Sequence, residues 1–146
     1  MFPMDLIGPT DSPWFSMALR RSSPAVLLMQ RAGRQALSSV PLSYKGFAYE
    51  LAKHHKQVSI DWKALPFPTR ASPAFAFPVP TAALRVPEVV IERSQEVGSH
   101  MLFVTSVVRE TLSDPGPDDA DGLQLFHVHG AYHQHLSRSG VSLTEG

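Results

Sequence analysis

The chain has 146 residues, 43% of them hydrophobic, which fits one domain with a real core and excludes wholesale disorder. Its 13 Lys+Arg offset 13 Asp+Glu, and so level a charge argues against a protein whose main work is gripping nucleic acid or an anionic membrane. With no Cys, disulfide scaffolds, Cys-ligated zinc, Fe–S clusters and thiol nucleophiles are excluded.

In chain order, MFPMDLIGPT has neither the basic n-region nor the long apolar h-region of a secretory signal. No apolar run reaches the roughly 18 residues that span a bilayer, so a cytoplasmic location is expected. Trp14 to Leu19 reads as a buried strand, and Arg20-Arg21-Ser22-Ser23 as a polar turn. Pro24 suits the first turn of a helix over Ala25–Ala32, with Gly33 as its stop. Gln35–Val40 is expected to be a short strand. Ser43 is expected to cap a helix over Tyr44–Lys56, where Phe47, Ala48, Leu51 and Ala52 recur at helical spacing. Six of the 13 Pro fall between Pro66 and Pro87. That density predicts a surface-crossing loop over 63–87, pinning Phe67, Phe75 and Phe77 as a core lid or as the wall of a pocket or dimer.

Val86–Val97 and the near-continuous apolar run Met101–Val108 read as strands around a Gly98-Ser99-His100 turn. Ser113–Gly122 reads as a solvated loop, Leu123–Leu136 as a final strand, and 137–146 as a flexible tail behind a domain spanning 1–136. Strands around one or two helices, ending in antiparallel hairpins, predict a mainly β or α+β fold, such as a small β-barrel.

Three groups of residues carry candidate chemistry. His127, His129, His133 and His135 share parity, so a continuous strand sets them on one face, where imidazoles two apart can ligate a metal; an exposed or interfacial row is the plainer reading, and Gly130 can break the strand. His100, directly after Gly-Ser at a strand-to-strand turn, can project into a cleft, where imidazole suits hydrogen bonding or proton exchange near neutral pH. Arg20-Arg21-Ser22-Ser23 precedes a helix start, so its hydroxyls and guanidiniums with helix N–H groups can cradle a phosphate, against the commoner role of simple N-capping. No G-x-G-x-x-G, P-loop, G-x-S-x-G or H-E-x-x-H is present.

The segment VGSHMLFVTSVV, Val97 to Val108, resembles the signature hairpin of the flavin reductase-like family, the FMN-binding split barrels. Members show a Gly-Asp/Ser-His turn followed by a Leu-Phe-rich strand that ends in paired valines. Ala83–Val97 resembles the strand leading into that turn, FSMALRRSSP the family's buried strand and Arg-x-Ser turn, and FHVHGAYHQHL its closing strand. The helix at Tyr44–Lys56 falls where the family has one, and the order of the pieces agrees over most of 14–136.

The resemblance implies a homodimer with FMN or FAD in a cleft between protomers, and NAD(P)H as the co-substrate that passes hydride to the flavin. It implies that His100 is the catalytic residue placing nicotinamide or flavin. It implies that Arg20, Arg21, Ser22 and Ser23, with Ser99, bind the cofactor. The family's Asn-x-x-Thr/Ser strand is matched at best in part by MFPMDLIGPT, and Lys53–Pro80 departs from the commonest members, as in a shortened or divergent member. The alternatives are a non-catalytic flavin-binding relative or remnant, and a His-rich metal-binding module. Nucleic acid and membrane are not expected partners.

Overall fold

Alternating burial runs through Trp14–Arg20: Phe15, Met17 and Leu19 are buried, while Trp14, Ser16 and Ala18 are half-buried. Burial of every second residue is what a strand with one face on a core requires. This strand, β2, pairs antiparallel with β1 (Met4–Ile7) on one side. The computed structural model describes residues 4–7, 13–53, 61–114, 123–128 and 131–136.

Helix α1 (Pro24–Ala32) follows as the sequence predicts. Pro24 occupies the start, where its missing N–H costs nothing. Gly33 ends the helix at φ 65°, its N–H bonded to Met29 O at 2.9 Å. Val26 and Met29 turn inward onto Met17, Leu19, Met101 and Phe103, forming the main apolar cluster with Ala25, Leu37 and Ile91 at its margin.

The expected strand at Gln35–Val40 shrinks to β3 (Arg34–Ala36), although Leu37 and Ser39 still donate to Pro87 O and Arg85 O at 3.0 and 2.9 Å. A 3₁₀ turn at Leu42–Tyr44 then leads into α2 (Lys45–Lys53). Pro41, still extended, is the N-cap position of that turn, so Ser43, the expected start of the helix, lies inside the turn. The predicted end of the helix at 54–56 lies outside the described residues.

The Pro-rich segment is more ordered than a plain loop. It holds a 3₁₀ turn at Trp62–Ala64 and a short hairpin of β4 (Thr69–Ala71) and β5 (Pro78–Pro80). Pro78 and Pro80 have no N–H to give, which suits a strand paired on one side only. Val79 from this hairpin is buried with Ala83 and Val86 in a second, smaller cluster.

Two 13-residue strands, β6 (Arg85–Val97) and β7 (His100–Leu112), dominate the sheet, whose order is β1-β2-β7-β6-β3. Opposite β2, the inward side of β7 carries Met101, Phe103 and Thr105. The pairing of β6 with β7 shifts between Ile91 and Arg93. Beyond that bulge residues 92–97 of β6 are all exposed, so this end of β6 lies at the surface, while Met101 opposite Glu96 on β7 remains in the core. No helix among the described residues is long and apolar enough to cross a membrane.

The predicted final strand is two strands, β8 (Leu123–Val128) and β9 (Ala131–Leu136), paired antiparallel, with β8 running beside the 3₁₀ turn at Leu42–Tyr44. The loop at 115–122 and the tail at 137–146 lie outside the described residues.

Candidate functional site

Two turns that are far apart in sequence meet at one end of the sheet. Arg20, the last residue of β2, stands opposite His100, the first residue of β7. One residue on, Arg21 N–H donates to Ser99 O at 3.0 Å. This backbone bond ties the 20–23 turn to the hairpin tip and sets all six predicted site residues, Arg20, Arg21, Ser22, Ser23, Ser99 and His100, in one neighbourhood.

The hairpin tip owes its shape to Gly98. Val97 pairs with His100, leaving a two-residue loop with φ of 57° at Gly98, the first loop position, where a left-handed conformation favours Gly. Ser99 follows, and its Oγ lies 3.0 Å from His100 Nδ1. That contact occupies one imidazole nitrogen and leaves Nε2 as the one available to a ligand. His100 itself is half-buried.

The 20–23 turn leads directly into α1. Ser23 N–H donates to Arg20 O at 2.9 Å, closing the turn, and Val26 N–H donates to Ser23 O at 3.1 Å. Ser23 occupies the N-cap position but its side chain makes no cap hydrogen bond. Simple N-capping is therefore not the role of this hydroxyl. It stands at the positive end of α1 with the exposed Ser22 and with Arg20 and Arg21, a donor set suited to an anion. Arg21 Nη1 also lies 3.2 Å from Glu96 Oε2, an ion pair across the two turns.

The aromatics of the Pro-rich segment divide into two groups. Phe67 packs with Tyr44 and Phe47, each ring centroid 5.7 Å away. Phe75 and Phe77 pair at 5.6 Å, with the Arg34 guanidinium over both rings. Arg34 is opposite Val90, seven positions along β6 from Val97, so this stack is removed from His100 by roughly 20 Å within the chain.

Glu88 was not singled out by the sequence reading. Its carboxylate is fully buried and accepts from Ser72 Oγ at 2.6 Å, Ala74 N–H at 2.9 Å and Phe75 N–H at 2.8 Å. Burial alone pushes the carboxyl up. The hydrogen bonds from Ser72, Ala74 and Phe75, with Arg109 nearby, outweigh it and hold the group below its ordinary value. Ser72 Oγ in turn accepts from Phe77 N–H at 3.0 Å, and Ala76 sits at φ 56°. The carboxylate thus folds the 72–77 loop around itself. A lone acid inside the apolar run VPEVV was the available signal.

The histidine row is divided by its turn. Register sets His127 opposite Tyr132, His133 opposite Phe126 and His135 opposite Gln124. Position 127 therefore falls on the other face of the hairpin from 133 and 135, because the chain reverses between Val128 and Ala131. His129 lies outside the described residues.

No protein-family model matches the chain, and no curated protein matches it by sequence. Solved structures do match in shape. The FMN-binding protein from Thermus thermophilus, with p-hydroxybenzaldehyde bound, has a TM-score of 0.74 at 19% identity, over 95% of this chain and 78% of that one. The styrene monooxygenase flavin reductase from Pseudomonas putida S12 has 0.68 at 20%, over 90% and 76%. The flavin reductase component of a bacterial two-component tryptophan halogenase has 0.70 at 16%, over 92% and 79%. At these identities the likeness establishes the fold: this is the split barrel of FMN-binding and flavin reductase proteins, mainly antiparallel sheet with two α-helices among the described residues.

Proposed function

We propose that the protein is a flavin-binding oxidoreductase of the flavin reductase type, taking FMN as cofactor and NAD(P)H as hydride donor and acting as a homodimer. The observation that carries this reading is the bond from Arg21 N–H to Ser99 O. It unites an uncapped helix start, rich in hydroxyls and guanidiniums, with a histidine-tipped hairpin on a fold shared with flavin reductases.

The residues fit such a cofactor. Ser22 and Ser23 with Arg20 or Arg21 would hold its phosphate, and the free Ser23 hydroxyl is the direct indication. FMN, when bound, supplies the redox-active ring that accepts hydride. The chain's part is to orient and to exclude water. His100, with Nδ1 held by Ser99, keeps Nε2 for a ligand and would align the nicotinamide or the ring. A second copy would close the site. The outer side of β2 and β7 leaves Trp14, Ala18, Leu102 and Val104 only half-buried, and Val97 beside His100 is 54% exposed, an apolar face suited to another protomer.

The test is to titrate purified protein with FMN at micromolar concentration, follow flavin fluorescence, and then measure NAD(P)H oxidation and native mass. Saturable FMN binding, turnover and a dimer mass are expected. A protein that leaves FMN fluorescence unchanged sinks the reading. FMN binding without nicotinamide oxidation favours the non-catalytic carrier instead, a reading supported by the likeness to a protein described only as FMN-binding.

A further inference from the structure

The exposed ion pair between the 20–23 turn and the β6–β7 hairpin has a sign that matters. Arg21 Nη1 and Glu96 Oε2 lie 3.2 Å apart, with side chains 51% and 58% exposed. Glu96 is the penultimate residue of β6, opposite Met101 and two residues before Gly98, so its carboxylate reaches the 20–23 turn from the hairpin side. Arg20, in contrast, makes no ion pair among the described residues. Two guanidiniums and one carboxylate leave the turn with a single net positive charge.

We propose that Glu96 is a specificity-determining residue that sets the charge preference of this site by competing with the ligand's phosphate for Arg21. This rests on the flavin reading above. A phosphate monoester carries about −1.5 to −2 at neutral pH and pairs strongly with guanidinium. To engage Arg21 it must displace or share with Glu96, whose own charge repels it. An exposed pair of this kind is weak, so the phosphate can win, at reduced affinity. Glu96 therefore narrows the margin by which the protein prefers a dianionic flavin phosphate over the same ring system without one.

The consequence opposes that of the residues in the 20–23 turn: removing the Glu96 charge should improve binding. Full-length wild type and Glu96→Gln are titrated with FMN and, separately, with riboflavin, which has the ring and no phosphate. Glu96→Gln is expected to tighten FMN about three- to tenfold while riboflavin stays unchanged. The gain should shrink toward about 0.5 M salt, where exposed charges are screened. It should vanish in Arg21→Gln/Glu96→Gln, where the guanidinium at issue is gone. Weaker FMN binding by Glu96→Gln would overturn the proposal, because it would make the ion pair a strut that holds the two turns in place. Equal shifts for FMN and riboflavin would overturn it too. If wild type binds neither ligand, the flavin reading itself fails, and the proposal falls with it.

Discussion

Arg20 and His100 face each other across the β2–β7 ladder, the last residue of one strand against the first of the other. Register alone therefore joins a candidate anion cradle to a candidate ring-placing imidazole. On the proposed function the two residues divide the work. His100→Ala is expected to slow NAD(P)H oxidation at saturating FMN by about tenfold to a hundredfold, the range for losing one positioned polar group, while FMN affinity changes little. Arg20→Ala should reverse that pattern, weakening FMN with the rate at saturation kept. Steady-state kinetics beside a direct FMN titration separates the two, and identical profiles for both variants would argue against the division.

The free hydroxyl of Ser23 makes a second separation possible. Replacing an N-cap serine by alanine ordinarily costs about 1 kcal/mol, because a helix N–H loses its partner. Ser23 makes no such bond, so Ser23→Ala should leave thermal stability nearly unchanged. The double variant Ser22→Ala/Ser23→Ala should still weaken FMN by about tenfold or more, the effect of losing hydrogen bonds to a charged group. Differential scanning calorimetry and fluorescence titration check the two halves. A large drop in melting temperature would return Ser23 to an ordinary capping role.

What was legible in the sequence was what short-range chemistry dictates. Pro24 and Gly33 bracket α1 because one lacks an N–H and the other tolerates a left-handed φ. The short apolar run Trp14–Leu19 announces β2, and Gly98-Ser99 announces the hairpin. The likeness of VGSHMLFVTSVV and FSMALRRSSP to family motifs then put Ser22, Ser23 and His100 in one expected site, and the register brings these positions together. Long-range facts were hidden. Nothing local says that Glu88 finds its donors 13 to 16 residues upstream, or that Arg21 meets Glu96. The parity of His127 and His133 misleads for the same reason, since two residues of turn invert the face of everything after them.

Gly98 and Gly33 give a matched pair. Both have positive φ, 57° and 65°, and a Cβ added at either meets nothing within 4 Å. Alanine at each should therefore cost only backbone strain, about 1 kcal/mol. The functional consequences should differ, because Gly98 shapes the turn that carries Ser99 and His100, whereas Gly33 ends α1 away from the site. Gly98→Ala is expected to raise KM for the nicotinamide, and Gly33→Ala to leave it unchanged. Denaturant melts together with kinetics decide this, and equal kinetic damage from the two would mean that Gly98 acts through stability alone.

Glu88 should make the protein acid-sensitive. Its carboxyl is held below its ordinary value in the folded chain, against the raising effect of burial, by Ser72, Ala74 and Phe75 with Arg109 nearby. A group depressed on folding stabilises fully above its unfolded value, near pH 4 to 5 for a glutamate, and loses that contribution as pH falls through the lower folded value. Stability should therefore decline below about pH 4, and the 72–77 loop should loosen first, since protonation removes the charge that strengthens the bonds from two of its amides. Glu88→Ala leaves those amides and the Ser72 hydroxyl without their partner in a dry site, a loss of about 3 kcal/mol or more at pH 7. Glu88→Gln keeps the shape but turns an NH₂ group toward donors, so it should rescue only part of that. Both variants should show a flatter stability profile between pH 5 and pH 3 than wild type. Urea melts across that range, with hydrogen exchange at Ala74 and Phe75, make the measurement. Wild type and Glu88→Ala declining in parallel would show that other carboxylates set the acid limit.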